Sequence, residues 1–333
     1  MMYRLLRPLL FRLDSETAHR FTLQLLRLVG GFSPARRIVS ALCAAPQNPV
    51  KAFGLVFRNP VGLAAGYDKD AVAWRGLAAL GFGHIELGTV TPLPQPGNDR
   101  PRLFRLPEDG ALVNRLGFPS RGADYVAARL RNRRRGGVVL GVNIGVNRDT
   151  PVEEAARDYL ALLRKFAPLS DYLTVNVSSP NTAGLRQLQA RDALENLLGE
   201  LAKTREEGPR IPILVKLSPD LETAELDDAV GAILGTGMDG IVATNTTVAR
   251  PGLQSGSAGE RGGLSGRPLG PLSLETLEKI VARVEGAVPV VAAGGILGPD
   301  DARRRLDAGA ALVQVYTGLV YRGPGLVKEI LKK

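Results

Sequence analysis

Cysteine is almost missing from this chain: Cys43 stands alone, so no disulfide can close within the chain and no cysteine-rich zinc site can be built. Histidine is nearly as scarce, with only His19 and His84, which excludes a histidine-rich metal site. It also leaves thiol and imidazole mechanisms few actors. A single cysteine is consistent with a reducing compartment. No apolar run reaches the roughly 20 residues that a membrane-spanning helix needs. The basic, leucine-rich start is broken by Arg7-Pro8 and Arg12, and no small-residue cleavage site follows, so a secretory signal is not expected. Aromatic residues do not interleave with the densest basic cluster, Arg129, Arg131, Arg133, Arg134 and Arg135, as a nucleic-acid stacking platform would require. A solvated helix end running into Gly136-Gly137 suits that cluster better, and no nucleic-acid partner is expected.

What is present is a net charge of +10 on an otherwise ordinary globular composition. Anionic substrates and an anionic membrane surface would both suit that charge. From residue 60 onward one unit recurs: a short apolar run, polar or glycine residues, then a helix-like stretch. The runs are Val61–Ala65, His84–Leu87, Val138–Val142, Tyr172–Val175, Ile213–Leu217, Gly240–Ala243, Val288–Ala293 and Ala311–Val315. Helical spacing follows in Asp70–Leu80, Pro151–Phe166, Leu221–Leu234 and Leu272–Glu285. Alternating strands and helices imply parallel strands. Eight repeats fit a (β/α)8 TIM barrel better than a doubly wound open sheet, which is the alternative.

Such a barrel works at the C-terminal ends of its strands. In order these ends carry Gly66-Tyr67-Asp68-Lys69, Gly88-Thr89, Asn143, then Asn176 with Ser179 and Asn181. Lys216, Thr244-Asn245-Thr246, Gly294-Gly295 and Tyr316-Thr317 complete the circuit. Nearly every end offers a donor, an acceptor or a bare backbone. Three connections are longer than a barrel requires: Thr91–Phe118, Ser178–Gln189 and the glycine-rich Thr247–Gly270, which reads as a mobile lid. Residues 1–45 stand apart as a small helical extension, with residues 46–333 forming the barrel domain. Within the extension, Phe21, Leu25, Leu28 and Val29 share a helical face that Leu23 and Leu26 broaden. It reads either as a helical pair packed on the barrel or as an amphipathic unit lying in a membrane interface. Phe53, Leu55 and Phe57 alternate, as expected of a strand closing the barrel floor.

Individual groups suggest chemistry. Asn176-Val177-Ser178-Ser179-Pro180-Asn181 brings amides and hydroxyls to a strand end, as a turn or as equipment for a planar polar ligand. Gly294-Gly295, followed by a helix opening at Pro299-Asp300, suits phosphate, with Tyr316-Thr317-Gly318 able to complete the site. Lys216 closes an apolar strand and could place positive charge beside a bound anion or form a Schiff base. With histidine and cysteine so scarce, a hydroxyl becomes a candidate for proton transfer, Ser179 ahead of Ser178. No triad partner is visible, which argues against hydrolysis.

Taken in order, several motifs closely resemble the dihydroorotate dehydrogenases, in their quinone-linked, membrane-associated class. They are Ala64-Ala65-Gly66-Tyr67-Asp68-Lys69-Asp70, Pro96-Gly97-Asn98-Asp99-Arg100-Pro101-Arg102, Asn114-Arg115-Leu116-Gly117-Phe118 and Asn176-Val177-Ser178-Ser179-Pro180-Asn181-Thr182. Gly262-Gly263-Leu264-Ser265-Gly266 and Val315-Tyr316-Thr317-Gly318 follow the same pattern. The resemblance implies oxidation of (S)-dihydroorotate to orotate in pyrimidine synthesis, with FMN as cofactor and a membrane quinone as final oxidant. It also implies FMN contacts from Ala65, Gly66, Tyr67, Asp68, Lys69, Thr89, Asn143, Asn176, Lys216, Thr244, Gly266, Gly295, Tyr316 and Thr317. Substrate would meet Lys69, Asn114, Arg115, Leu116, Gly117, Phe118, Asn176, Asn181, Asn245 and Thr246. Ser179 would be the base, with Phe118 and Thr182 along the proton exit. His19, Arg105 and Tyr316 would line a quinone tunnel. Tyr67 stands where the family usually carries an aliphatic residue. A monomer, peripheral on the cytoplasmic face of the cell membrane and without a metal, is expected; a soluble FMN barrel using another acceptor is the alternative.

Overall fold

The computed structural model describes residues 2–131, 137–182 and 184–332, so Arg133, Arg134, Arg135 and Gly136 of the basic cluster lie outside the described residues. Of that cluster, Arg129 stacks on Tyr125 at 3.7 Å, and Arg121 stacks on the same ring at 3.7 Å. The ring nearest the cluster is therefore already engaged.

The chain opens with three helices, α1 (Met2–Arg12), α2 (Ser15–Gly31) and α3 (Ser33–Leu42), rather than the expected pair. Asp14 caps α2 by accepting the Thr17 backbone N–H at 2.9 Å. A hairpin follows, β1 (Val50–Ala52) and β2 (Leu55–Phe57), with Phe53 in its turn at φ 53°. The alternation at Phe53, Leu55 and Phe57 thus marks a hairpin and not one strand. It does close the floor, where Phe57 is buried among Tyr172, Leu214, Val242, Val291 and Leu312.

The remaining strands are β3 (Val61–Leu63), β4 (His84–Val90), β5 (Leu103–Leu106), β6 (Ala111–Asn114), β7 (Val139–Ile144), β8 (Tyr172–Asn176) and β9 (Ile213–Leu217). They continue through β10 (Gly240–Ala243), β11 (Gly263–Gly266), β12 (Val290–Ala293) and β13 (Leu312–Val315). Eight of them close a parallel barrel in the order β10-β12-β13-β3-β4-β7-β8-β9. These are the eight apolar runs of the sequence. Val139 apart, every residue in them is buried, which is why they read as continuous runs rather than alternations.

Two expectations change. The stretch Asp70–Leu80 is helical only over Trp74–Ala78, because the Asp68 carboxylate draws the Val72 and Ala73 backbone N–H groups into a turn first, each at 2.8 Å. The long connections are partly sheet: β5, β6 and β11 form an antiparallel three-stranded sheet beside the barrel mouth, β11 coming from the supposed lid. The rest of that loop is tied down. Arg250 donates to the Glu260 and Gly262 carbonyls, and Asp109 accepts the Gln254 and Ser255 N–H groups.

The helical unit sits on the barrel through α2. Gly76 carries no Cβ because the Leu26 carbonyl of α2 occupies that space. Leu23 and Leu26 pack against the barrel core, while Phe21, Leu25 and Leu28 face outward. The single apolar face expected of this helix is therefore divided between two surroundings.

Candidate active site at the barrel mouth

A cavity of about 1010 Å³, counting the space open to solvent, occupies the C-terminal end of the barrel. It gathers most of the residues expected there: Ala65, Gly66, Lys69, Thr89, Asn176, Lys216, Thr244, Gly266, Gly295, Tyr316 and Thr317. Asn114, Leu116, Gly117, Phe118, Ser179, Asn181, Asn245 and Thr246 line it as well. Among its lining residues there is no histidine and no carboxylate, whereas two lysines contribute positive charge. That balance fits anionic ligands. Burial pushes the Lys69 amine down to about 8, with Arg102 and Lys216 adding repulsion and Asp70 opposing the shift. Burial also lowers the Lys216 amine, against the pull of Glu86.

One end of the cavity suits a phosphate. Gly295 has φ 66°, and a Cβ there would strike the backbone of Gly270. The buried Arg305 holds this turn from below, donating to the Gly270 and Gly294 carbonyls at 3.0 Å each and to Ser273 Oγ at 3.1 Å. Across the gap, the Ser265 and Thr317 hydroxyls meet at 2.9 Å. Deeper in, Gln314 Oε1 is buried without a hydrogen-bond partner among the described residues. Bare backbone at one end and an unanswered acceptor below fit a phosphate-bearing, heteroaromatic cofactor such as a flavin.

The other end is built of amides. Asn181 Nδ2 donates to Asn114 Oδ1 at 3.2 Å, and Asn245 Nδ2 donates to Asn176 Oδ1 at 3.2 Å and Ser178 Oγ at 3.0 Å. Ser179 is buried, and its Oγ accepts the Asn181 backbone N–H at 3.2 Å. That bond leaves the hydroxyl hydrogen free to point elsewhere.

Several expected residues stand away from the cavity wall. Asn143 lies one layer below, bonded to Thr89 Oγ1 at 2.6 Å. Asp68 spends both oxygens on the turn at Val72 and Ala73, and burial pushes its carboxyl up to about 6. Arg115 faces outward, paired with Glu260 at 2.7 Å and stacked on Phe104 at 4.6 Å. Thr182 has its hydroxyl buried with no partner among the described residues. Tyr67 stands edge-on between His19 (4.9 Å) and Tyr316 (5.7 Å), so three rings run from α2 to the cavity. Burial and the Lys69 charge push His19 down to about 4, leaving it neutral near pH 7. Arg105 is not part of that ring series. It secures the α1–α2 junction, donating to Ser15 Oγ at 2.9 Å and to the Leu10 and Leu13 carbonyls, over the Phe11 ring. Ser15 lies one helical turn from His19.

Sequence reasoning missed Ser265, Gln314, Glu86 and Arg305. Glu86 and Gln314 had a visible signal, since each interrupts an apolar barrel run with an inward polar side chain. Ser265 was concealed in a loop, and Arg305 in the run Arg303-Arg304-Arg305.

A family model for dihydroorotate dehydrogenase matches residues 48–333. Dihydroorotate dehydrogenase (quinone) of Methylococcus capsulatus is 50% identical over 332 residues, covering 98% of this chain and 96% of the relative. The protein of the same name from a Roseiflexus species is 52% identical, covering 99% of this chain and 92% of its own. Among solved structures, ligand-free DHODH of Eimeria tenella superposes with a TM-score of 0.81 at 40% identity, covering 89% of this chain and 91% of that one. The cavity, its two lysines and its serine turn accordingly lie in a chain that belongs to the dihydroorotate dehydrogenase family, alongside relatives of its quinone-linked class.

Proposed function

We propose that this chain oxidises dihydroorotate to orotate, with FMN in the barrel mouth and a membrane quinone as final oxidant. The observation that carries this reading is Ser179, set in a cavity with two lysines and several amides but no histidine or carboxylate in its lining. Lys69 and the amides of Asn114, Asn176, Asn181 and Asn245, with Thr246, hold the substrate carboxylate and ring amides. Ser179 takes the proton from C5 and passes it outward past Phe118 and Thr182. Serine is a weak base, so its placement supplies what its basicity lacks. A bound FMN would supply the two-electron acceptor for the hydride lost from C6 as the C5–C6 double bond forms, with the quinone as the oxidant that restores it. Gly295, Tyr316 and Thr317, with Gly266 nearby, would hold its phosphate, and Lys216 would stabilise negative charge on its reduced ring.

Residues 1–45 form the membrane-facing unit. No helix of the described residues is long and apolar enough to cross a membrane. Leu5, Leu9, Phe21, Leu25, Leu28, Phe32 and Ile38 are nonetheless exposed there, among arginines. An apolar surface with basic neighbours supports peripheral attachment to an anionic bilayer; a monomer on the cytoplasmic face completes the proposal. His19, Tyr67 and Tyr316 then give quinone a route toward the flavin, with Arg105 holding the helix junction beside it.

The test is the visible spectrum of the purified protein, followed by dihydroorotate without oxygen. A yellow band that bleaches is the expected outcome. A yellow protein that stays oxidised removes dihydroorotate as substrate. A colourless protein that FMN cannot restore removes the flavin.

A further inference from the structure

Glu86 is fully buried on β4, inside the barrel and below the cavity. Its Oε1 accepts Asn143 Nδ2 at 2.8 Å. Its Oε2 accepts Gln314 Nε2 at 2.8 Å, Thr174 Oγ1 at 3.1 Å and Tyr172 OH at 3.3 Å. Donors from three other strands thus converge on one group, as they would on an ionised carboxylate, which can only accept.

That restriction travels upward. Asn143 must turn its NH2 toward Glu86, so its Oδ1 faces the mouth, where it accepts Thr89 Oγ1 at 2.6 Å and Asn176 Nδ2 at 3.2 Å. Asn176, with its NH2 so used, turns Oδ1 toward Asn245. Gln314 likewise gives its NH2 to Glu86, which leaves Oε1 as the buried, unpartnered acceptor of the cavity wall. Lys216 pairs in register with Asn176, and Glu86 is the acidic group that counters the effect of burial on its amine.

We propose that Glu86 is a positioning residue for the cofactor: its carboxylate fixes the polarity of the amides at the cavity base, and its charge offsets that of Lys216, lowering the reduction potential of the bound flavin. The proposal rests on the flavin reading above. A fixed negative charge in a poorly screened core opposes the arrival of electrons nearby, and its removal favours them.

The test is a spectroelectrochemical titration of the holoenzyme and two variants. Glu86→Gln keeps the size and removes the charge, and Gln314 can answer the new NH2 by turning its free Oε1 toward it. Reduction becomes about tenfold more favourable, a rise of about 30 mV for a two-electron couple. Thr174→Val removes one donor from the carboxylate without touching the cavity, leaves the negative charge less compensated, and moves the potential down by a smaller amount. A mere packing role would not give opposite signs. Unchanged potentials in both variants, or shifts in one direction, overturn the proposal. If Glu86→Gln does not fold, the Thr174→Val shift alone decides it. Wild-type protein that binds no flavin overturns the underlying function, whereas wild-type protein that bleaches with dihydroorotate while the variants keep its potential overturns this inference alone.

Discussion

The barrel and the helical unit treat apolar residues in opposite ways. Barrel strands bury both faces, and most of their polar groups are hydrogen-bonded, around Glu86 inside the barrel and at the strands' C-terminal ends. In α2 and α3 only Gly30 is buried, and large apolar side chains point outward on the side away from the barrel. A structure that hides nearly all its apolar strand surface in one part and leaves it bare in another is divided by solvent: one part is finished in water and the other calls for an apolar partner. On the function proposed above, with substrate chemistry in the barrel and contact with the oxidant in the helices, this division predicts that the two half-reactions can be separated by mutation.

The largest expected effect breaks the barrel's half alone. Ser179→Ala lowers the rate of flavin reduction by dihydroorotate about 10²–10⁴-fold, as loss of a general base does. Stopped-flow bleaching measures it, and reoxidation by quinone stays at the wild-type rate. Equal losses in both half-reactions would merge the two regions. The converse change is Leu25→Glu with Leu28→Glu, at side chains 54% and 69% exposed. Binding to vesicles containing anionic lipid falls about 100-fold, since two leucines lose apolar contact worth roughly 1.5–3 kcal/mol each when fully buried. Vesicle sedimentation reads the loss, and bleaching by dihydroorotate is unaffected.

The same contrast explains what was legible in the sequence. Barrel strands announced themselves because Val61, Ile85, Leu140, Leu173 and Val215 sit in runs buried on both sides, and the strand-end residues followed from chain order. The helical unit was harder. Periodicity placed Leu23 with Leu25 on one broad stripe, but only the neighbouring α4 (Trp74–Ala78), with Gly76 against Leu26, decides which edge faces the barrel. Strand β11 was hidden for another reason: its glycines look like a loop until Ala111–Asn114 is there to pair with them. Arg115 and Asp68 stand in motif positions beside true cavity residues, yet an ion pair with Glu260 and a turn at Val72 occupy them. Partners distant in sequence assign such side chains.

A pH profile sharpens the barrel's side of the comparison. Lys69 is lowered to about 8 by burial and neighbouring positive charge. Its folded-state value lies below the ordinary one, so the amine loses its proton early as pH rises. Attraction for the substrate carboxylate is full below about 8 and fades above it, and KM for dihydroorotate rises about tenfold per pH unit there. Lys69→Arg keeps its proton and flattens the profile across the same range. A profile that stays steep in that variant would assign the transition to another group, and quinone binding to the helical unit should not follow it.

The smallest effect concerns a residue that serves the mouth without lining it. Arg305 is buried, and its guanidinium spans the carbonyls of Gly270, Gly294 and Asp301 together with Ser273 Oγ. Of these carbonyls only that of Gly294 shares its peptide with an N–H at the cavity wall, that of Gly295; Gly270 precedes Pro271, which has none, and the Ala302 N–H donates to the Gly298 carbonyl. Arg305→Lys keeps the charge but replaces a planar fork with one ammonium, which cannot reach all four acceptors. Losing one or two such bonds weakens FMN binding about 2- to 10-fold, in proportion to a net value of about 0.5–1.5 kcal/mol per bond. Fluorescence of released FMN measures this. The melting temperature of the flavin-free protein separates it from general destabilisation, because a loss confined to the cradle lowers affinity more than stability. Vesicle binding is the control from the other region: Arg305 belongs to the barrel and Leu25 and Leu28 to α2, so a variant that also left the membrane would show that the two regions are coupled through the fold.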